Sequence, residues 1–344
     1  MANRTSRAPA DNDHLSRAFA GARLVPEKYR GTDKYLDVVQ WNLEWFGASK
    51  SRARDQKRFQ LIFEVLEAFN ADLFVFQEVV GRTAAQPGAL DPISEALTSA
   101  NAGDYRVEYS EAGGEQRIAM MWDRDYVRSK ILPEDLFRRG THRTSDGRDA
   151  FATRAPLYAY FAAREDALEP RGGTKTFDFQ ILGVHLKAME EGSPQRLKSA
   201  EVLSEWLVNE SPRTDSDAVI LGDWNAPPED ACWKPFHDLE EEPGGRVKFR
   251  EINDPSDASY LWLRNRSDKF LSRIDLTAMT LSSFQQVEGK AAQVVLWKPV
   301  EEILARAGNL KSSEAVRLLK ELKEEVSDHL PVVSRFYWTD ERGG

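Results

Sequence analysis

The sequence predicts an α/β protein, shaded toward α+β by a series of antiparallel strands, and three observations carry that prediction. First, short apolar runs suited to strands buried on both faces recur along the chain, each ending in an acidic, amide or imidazole side chain. They are Val38-Val39-Gln40-Trp41-Asn42, Leu73-Phe74-Val75-Phe76-Gln77-Glu78, Gln180-Ile181-Leu182-Gly183-Val184-His185, Val219-Ile220-Leu221-Gly222-Asp223-Trp224-Asn225, Arg273-Ile274-Asp275-Leu276 and Ser327-Asp328-His329-Leu330-Pro331. Second, Arg52 to Phe69 places Phe59, Ile62, Phe63, Val65, Leu66 and Phe69 at helical spacing between the first two runs, which makes a βαβ unit. A right-handed crossover sets those strands parallel, so Asn42 and Glu78 emerge at one edge. Third, the same strand, helix, strand series restarts at Thr176, which suggests two similar halves meeting at one cleft.

In chain order, residues 1–34 read as a flexible N-terminal arm, with a short helix over His14 to Leu24 as the ordered alternative. A strand over Tyr35 to Asn42 follows, then the amphipathic helix, which Asn70-Ala71-Asp72 stops before the strand Leu73 to Gln77. Pro92 to Ala100 is a short helix, and Tyr105 to Tyr109, Arg117 to Trp122, Val127 to Leu132 and Phe151 to Ala163 read as antiparallel strands. The second half offers a strand Phe177 to His185, a helix Pro194 to Val208 and a strand Ala218 to Leu221. Further strands fall at Tyr260 to Leu263, Arg273 to Thr280 and Gln293 to Trp297. Pro299 to Val326 reads as a helical hairpin: Gly308-Asn309 breaks it, Ser312-Ser313-Glu314 starts its second helix, and Val316, Leu319, Leu322 and Val326 line one face. Leu330 to Trp338 closes the sheet, and 339–344 is a tail.

Composition narrows the class. With 344 residues, 41% of them apolar, and a mean hydropathy of −0.55, the chain has material for a sizeable core, and no run nears the roughly 18 apolar residues of a membrane span. The first thirty residues lack the apolar core of a secretory signal, which assigns the chain to the cytoplasm. The single cysteine, Cys232, agrees: it excludes an intrachain disulfide and reads as a small buried hydrophobe beside Trp233. Net charge of −9 and a pI near 5.3 argue against sequence-independent adhesion to a polyanion. Locally, however, Arg124 to Arg154 is basic, and it is either a solvated loop or a phosphate-contacting one.

The polar rims carry the chemistry. Asn, Glu, His, Asp and Asn, then Asp and His, supply oxygen ligands for a hard divalent cation and leave two imidazoles for phosphoryl chemistry. Glu78 is the first-choice ligand, because a carboxylate ending Phe74-Val75-Phe76 is costly to bury without a cation or partner. Asn42 and Asp328 are the second ligands, direct or through water. Positions i and i+2 of an extended segment face the same way, so Asp223 can act with Asn225, His185 with Lys187, and Asn42 with Glu44. Asp328 and His329 converge only if that dipeptide is a loop. His14, His142 and His237 lack such a context and read as surface residues.

Taken in order, Asn42, Gln77-Glu78, His185-Leu186-Lys187, Gly222-Asp223-Trp224-Asn225, Arg273-Ile274-Asp275 and Ser327-Asp328-His329-Leu330-Pro331 resemble the endonuclease/exonuclease/phosphatase family. The resemblance spans residues 35–338 and implies one catalytic domain with a four-layered α/β/β/α sandwich, two mixed sheets packed face to face with helices outside. It implies a Mg2+- or Mn2+-dependent phosphoesterase in which Asp275 orients His329, while His329 stabilises charge or takes a proton at the phosphate. His185 then donates to a non-bridging oxygen, Asp223 orients the water or acts as base, and Asn225 holds the nucleophile or a phosphate oxygen. Whether Asp223 or His329 takes the water's proton stays open.

Arg154 resembles an arginine that some members place near the scissile phosphate, with a structural salt bridge as the alternative. Tyr260 and Trp262 resemble an aromatic strand that stacks on bases; core packing is the alternative, and it is favoured for Trp262. Trp41, Trp45 and Phe46 pose the same choice. The leading reading is hydrolysis of nucleic-acid phosphodiesters, DNA first. The runner-up keeps fold and chemistry but takes a small phosphoester, an inositol phosphate or a phospholipid headgroup. An inactive sandwich used as a binding module should show gaps among these residues, and there are none. The helical hairpin at 299–326 either covers the sheet or gates the cleft.

Overall fold

Alternation of side chains along the strands sets the architecture. On β1 (Tyr35–Phe46) the residues Leu36 and Val38 pack into one apolar cluster while Val39, Trp41 and Leu43 pack into another, so both faces of the strand are covered. The same division holds on β2 (Leu73–Val79), with Leu73 and Val75 on one side and Phe74 and Phe76 on the other. The computed structural model describes residues 21–32, 34–48, 52–137, 140–151, 154–163, 176–249, 259–263, 269–290, 292–307 and 312–338. Most of the expected arm, the tail 339–344, Arg138, Arg139 and Gly308-Asn309 lie outside the described residues. Of the helix expected over His14 to Leu24, only α1 (Gly21–Leu24) is described.

Among the described residues two six-stranded mixed sheets form. The first runs β13 (Gln293–Val294), β14 (Val332–Tyr337), β1, β2, β4 (Arg117–Asp123), β3 (Tyr105–Tyr109). The second runs β5 (Val127–Asp135), β6 (Leu157–Ala163), β7 (Asp178–His185), β8 (Ala218–Asp223), β12 (Asp275–Thr280), β9 (Val247–Phe249). A two-stranded ribbon, β10 (Tyr260–Leu263) and β11 (Lys269–Ser272), stands beside them. One cluster joins Val38, Val75 and Ile118 of the first sheet to Leu157, Ile181 and Val219 of the second, so the sheets pack face to face.

The outer face of the first sheet is covered by α2 (Arg52–Phe69), α3 (Asp91–Ser99), α7 (Lys298–Ala307) and α8 (Ser313–Glu325). That of the second is covered by α4 (Ser193–Glu205) and α5 (Lys234–Glu241); α6 (Leu281–Gln286) follows β12. This is the four-layered sandwich. In each half a parallel pair, β1 with β2 and β7 with β8, is joined through a helix, α2 and α4 respectively. No described helix is long and apolar enough to cross a membrane.

Several expected boundaries shift: β1 runs on to Phe46, β5 to Asp135, and β14 starts at Val332. The strand expected from Phe151 begins only at Leu157, because Arg154 N–H donates to the Phe151 carbonyl in a turn and Pro156 has no N–H for a ladder. The strand expected to reach Trp297 stops at Val294: Val295 N–H still finds the Pro331 carbonyl at 2.8 Å, but Pro331 cannot donate in return. The strand expected from Arg273 starts at Asp275. In the hairpin, the Ser312 hydroxyl caps α8 by accepting from Ala315 N–H at 3.2 Å, as the sequence anticipates.

Candidate active site

Convergence follows from register. The parallel pairs end at one rim, and β12 runs antiparallel to β8 so that its first residue lies there too. His185 is paired with Asp223, and Asp223 with Asp275. All three share the parity of Ile181, Leu221 and Met279, which face the other sheet. Asn42 shares the parity of Leu36 and Val38 and meets them from the first sheet. Gly222 makes the close strand pairing possible: its φ is +139°, and a Cβ there would collide with the Val184 carbonyl.

Glu78 breaks the alternation. By period two it would follow Phe74 and Phe76 to the outer face, but its φ is +58° and the pairing of β2 with β4 shifts between Phe76 and Val79. Its carboxylate turns into the site. Glu78 Oε1 accepts from Asn42 Nδ2 at 3.3 Å and Oε2 accepts from Gln116 Nε2 at 3.0 Å. The same Asn42 amide donates to Asp223 Oδ2 at 3.0 Å, and Asn42 Oδ1 accepts from Glu44 N–H at 2.9 Å. His185 Nε2 lies 3.5 Å from both Glu78 Oε1 and Asp223 Oδ2.

The Asp275–His329 pair forms: Nδ1 and Oδ2 are 2.8 Å apart, and both side chains are buried. His329 sits in an irregular segment, as convergence with Asp328 requires. Backbone bonds Leu261 N–H to Asp328 O and Leu330 N–H to Ser259 O tie that segment to β10. Trp41 Nε1 donates to the His329 carbonyl at 2.9 Å, Ser327 Oγ donates to the Asn42 carbonyl at 2.7 Å, and the Ser259 hydroxyl accepts from Asp275 N–H. The Tyr260 ring lies 4.8 Å from that of His329, and His329 Nε2 is 3.9 Å from Asp223 Oδ2.

Other expected residues divide. Arg154 reaches the site: its Nη1 is 2.8 and 2.5 Å from the two His185 ring nitrogens, and Nη2 donates to the Leu186 carbonyl. Asn225, at φ +56°, turns its amide onto the Leu186 carbonyl at 3.0 Å, while its backbone N–H caps Asp223 Oδ1. Asp328 is 3.9 Å from His329 Nε2 and pairs with Lys323 at 3.3 Å, apart from the Glu78, His185, Asp223 group. Lys187 is exposed beyond the end of β7. Its partnership with His185, read from i, i+2 spacing, does not form because the strand ends at His185.

His142 and His237 are half-buried against Phe137 and Phe249 rather than on the surface. Trp41 is core and Trp45 is exposed, whereas the Trp262 side chain lies outside the described residues. Within the basic stretch, Arg124 pairs with Asp104, Lys130 with Asp178 and Arg148 with Asp146, while Arg143 donates to loop carbonyls. Sequence reasoning missed Gln116 and Arg58 altogether; only long-range contacts reveal them.

Burial pulls the His329 imidazole down, but Asp275 beside it, then Asp223 and Asp328, outweigh that and raise it to about 10. Burial pushes the Asp223 carboxyl up to about 7, with His329 opposing and Asp275 and Glu78 adding. Burial, with the cations Arg154 and His329 nearby, holds His185 well below its ordinary value, so its contacts to the carboxylates are those of a neutral ring. Burial and the proximity of Asp328 raise Glu44, while Arg58 and Lys323 oppose. Glu78, His185 and Asp223 bring ligand atoms within 4.8 Å of one another. Two carboxylates with an amide alongside fit a hard divalent cation. The Asn42 amide now presents its nitrogen to the carboxylates, and a half-turn of that group would present its oxygen.

Several solved structures share this fold. A protein of the endonuclease/exonuclease/phosphatase family from Bacteroides thetaiotaomicron aligns over 88% of this chain and 94% of its own, at 17% identity and a TM-score of 0.55. A mannosyl-6-phosphatase from the same organism aligns over 87% and 98%, at 16% identity and 0.54. The human nocturnin catalytic domain with bound sulfate aligns over 89% and 95%, at 16% identity and 0.52. Among curated protein sequences none matches the chain. The family model matches residues 39–231, more than half of the 344, and with the sandwich and its rim of polar residues this chain belongs to the endonuclease/exonuclease/phosphatase family.

Proposed function

We propose that this chain is a divalent-metal-dependent hydrolase of phosphodiester bonds whose substrate is nucleic acid, DNA first, with one catalytic domain over residues 35–338. The observation that carries the reading is the pairing of opposite tasks in one buried cluster. Asp223, with its carboxyl near 7, stands 3.9 Å from an imidazolium, His329, that Asp275 keeps charged. Asp223 accepts the proton of the attacking water, while His329 donates to a non-bridging oxygen as negative charge grows there. Arg154 brings a second positive charge to the same place and donates to the neutral His185 ring, which stands between it and the carboxylates. Asn225, with its amide on the Leu186 carbonyl, fixes the turn that aims Asp223. Glu78, with Asn42, would hold Mg2+ or Mn2+; when bound, the cation neutralises phosphate charge and lowers the pKa of water.

Tyr260 beside His329 supports a substrate with rings next to the phosphate. The second reading, a small phosphoester, draws on two findings: one similar structure is named a mannosyl-6-phosphatase, and Arg124 and Arg148 of the basic stretch are paired with Asp104 and Asp146. The single buried Cys232 supports a reducing compartment, and we place the chain in the cytoplasm. Incubation with supercoiled DNA, single-stranded DNA, RNA, bis-p-nitrophenyl phosphate and a sugar phosphate, each with Mg2+ and with EDTA, tests both readings. We expect DNA cleavage in Mg2+ and none in EDTA. Full activity in EDTA after metal-free preparation would overturn the metal assignment, and hydrolysis of the sugar phosphate alone would favour the second reading.

A further inference from the structure

The same device occurs on each side of the cleft. Just beyond Asn42 on the first sheet, Glu44 and Trp45 take φ of +42° and +55°; just beyond His185 on the second, Met189 takes +68°. Side chains other than glycine rarely occupy that region, and such residues collect at ligand clamps. Each turn is gripped by a buried arginine. Arg58 donates to the Leu43 and Glu44 carbonyls, the latter at 2.9 Å, and Arg196 donates to the Lys187 and Met189 carbonyls at 2.8 and 2.7 Å. Each turn presents one large apolar side chain, Trp45 at 47% and Met189 at 64% exposed, the latter between the exposed Lys187 and Glu190, whereas Phe46 and Leu186 are buried. The chain therefore holds three left-handed residues in two turns, and keeps two large apolar side chains in water three residues beyond Asn42 and four beyond His185.

We propose that Trp45 and Met189 are specificity-determining residues that contact, from opposite sheets, the ring systems flanking the scissile phosphate, with Trp45 stacking on a nucleobase. An indole face accepts any base, and a thioether adapts to whatever ring lies against it. The proposal rests on the phosphodiesterase reading and narrows its substrate to base-bearing esters.

Binding can be tested without turnover. The probe is dithymidine methylphosphonate, in which a methyl group replaces one non-bridging oxygen, titrated in Mg2+ with tryptophan emission and equilibrium dialysis as readouts. The other tryptophan side chains described are buried, so a base stacked on Trp45 should quench a discrete part of the emission in the parent. Trp45→Phe should lose that quench and keep affinity within a few fold, because a ring remains. Trp45→Gly and Trp45→Asn should weaken binding about tenfold, with Met189→Gly weakening it less. The melting temperature of Trp45→Gly should equal or exceed the parent's, since glycine takes φ of +55° freely. Equal affinity of parent and Trp45→Gly, or a quench that persists in Trp45→Phe, would overturn the proposal. Failure of the parent to hydrolyse thymidylyl-thymidine would instead count against the phosphodiesterase reading, because the binding measurements do not depend on it.

Discussion

Glu78 and Asp223 share one donor, the Asn42 amide, and approach one imidazole, His185, so removing either negative charge unbalances a cluster of fixed partners. Glu78→Gln and Asp223→Asn keep the shape of the side chain and remove only the charge. Each should lower turnover at saturating Mg2+ by at least about a hundredfold, with an unchanged circular dichroism spectrum. The double variant should be little worse than the worse single one, because both residues serve one step. Near-normal turnover in either variant would remove that residue from the assignment. His329→Ala should cost more than Asp275→Asn, since the imidazole meets the phosphate and the carboxylate orients and charges it. The reverse order, measured as kcat under identical conditions, would contradict those roles.

Helices α7 and α8 show how one element serves packing and chemistry at different ends. Val300, Leu319, Leu322 and Val326 are buried in the outer core of the first sheet, so the hairpin is a covering layer over most of its length. Its C-terminal end is different. Arg58 Nε donates to the Val326 carbonyl at 2.9 Å while its Nη atoms hold the β1 turn, and Lys323 pairs with Asp328 and lies 5.9 Å from the centre of the Tyr260 ring. Leu322→Ala should therefore destabilise by about 2 to 5 kcal/mol, the usual cost of a cavity at a buried leucine, read by chemical denaturation. Lys323→Ala should leave stability within about 0.5 kcal/mol yet change the ratio of single- to double-strand cleavage. A Lys323 variant with the parent's substrate preferences would leave the hairpin as cover alone.

At the opposite rim the first sheet holds a buried charge, shared between β1 and β14, whose effect on the whole molecule depends on pH. Asp37 is buried, accepts from Arg335 Nε at 2.7 Å and from Thr32 N–H, and has its backbone N–H bonded to Asp72. Burial raises its carboxyl to about 6, with Arg335 opposing. A carboxyl raised on folding contributes stability that is complete below its unfolded value near 4 and is lost as pH rises through 6. Asp37→Asn removes that titration. The stability of the variant relative to the parent should therefore improve between pH 4 and pH 7, by up to about 3 kcal/mol. A difference independent of pH across that window, in paired denaturation curves, would refute the assignment.

Sequence patterning reached the fold class, most of the strands and helices, and which residues stand at strand ends, but not β9, β11, α5 or α6. Period-two alternation places Asn42, His185, Asp223 and Asp275 correctly, because inside a regular strand it settles which face a side chain takes and the ladder register does the rest. The pairing of Asp275 with His329 came from the family resemblance, because His329 lies in an irregular segment that alternation does not reach. Side chains at irregular positions were settled by long-range contacts instead. Glu78 enters the site through a left-handed residue that alternation would send outward, and Asn225 turns its amide to the Leu186 carbonyl through another. Arg154 depends on a turn where a strand is expected, Asp328 on Lys323 from the helix before it, and the β1 turn on an Arg58 that also binds a carbonyl 268 positions away. The physical reason is common to all of them. Local sequence fixes φ and ψ where the backbone is regular; at bulges and turns the conformation is chosen by whichever distant partner satisfies the exposed backbone groups, and sequence spacing carries no record of that partner.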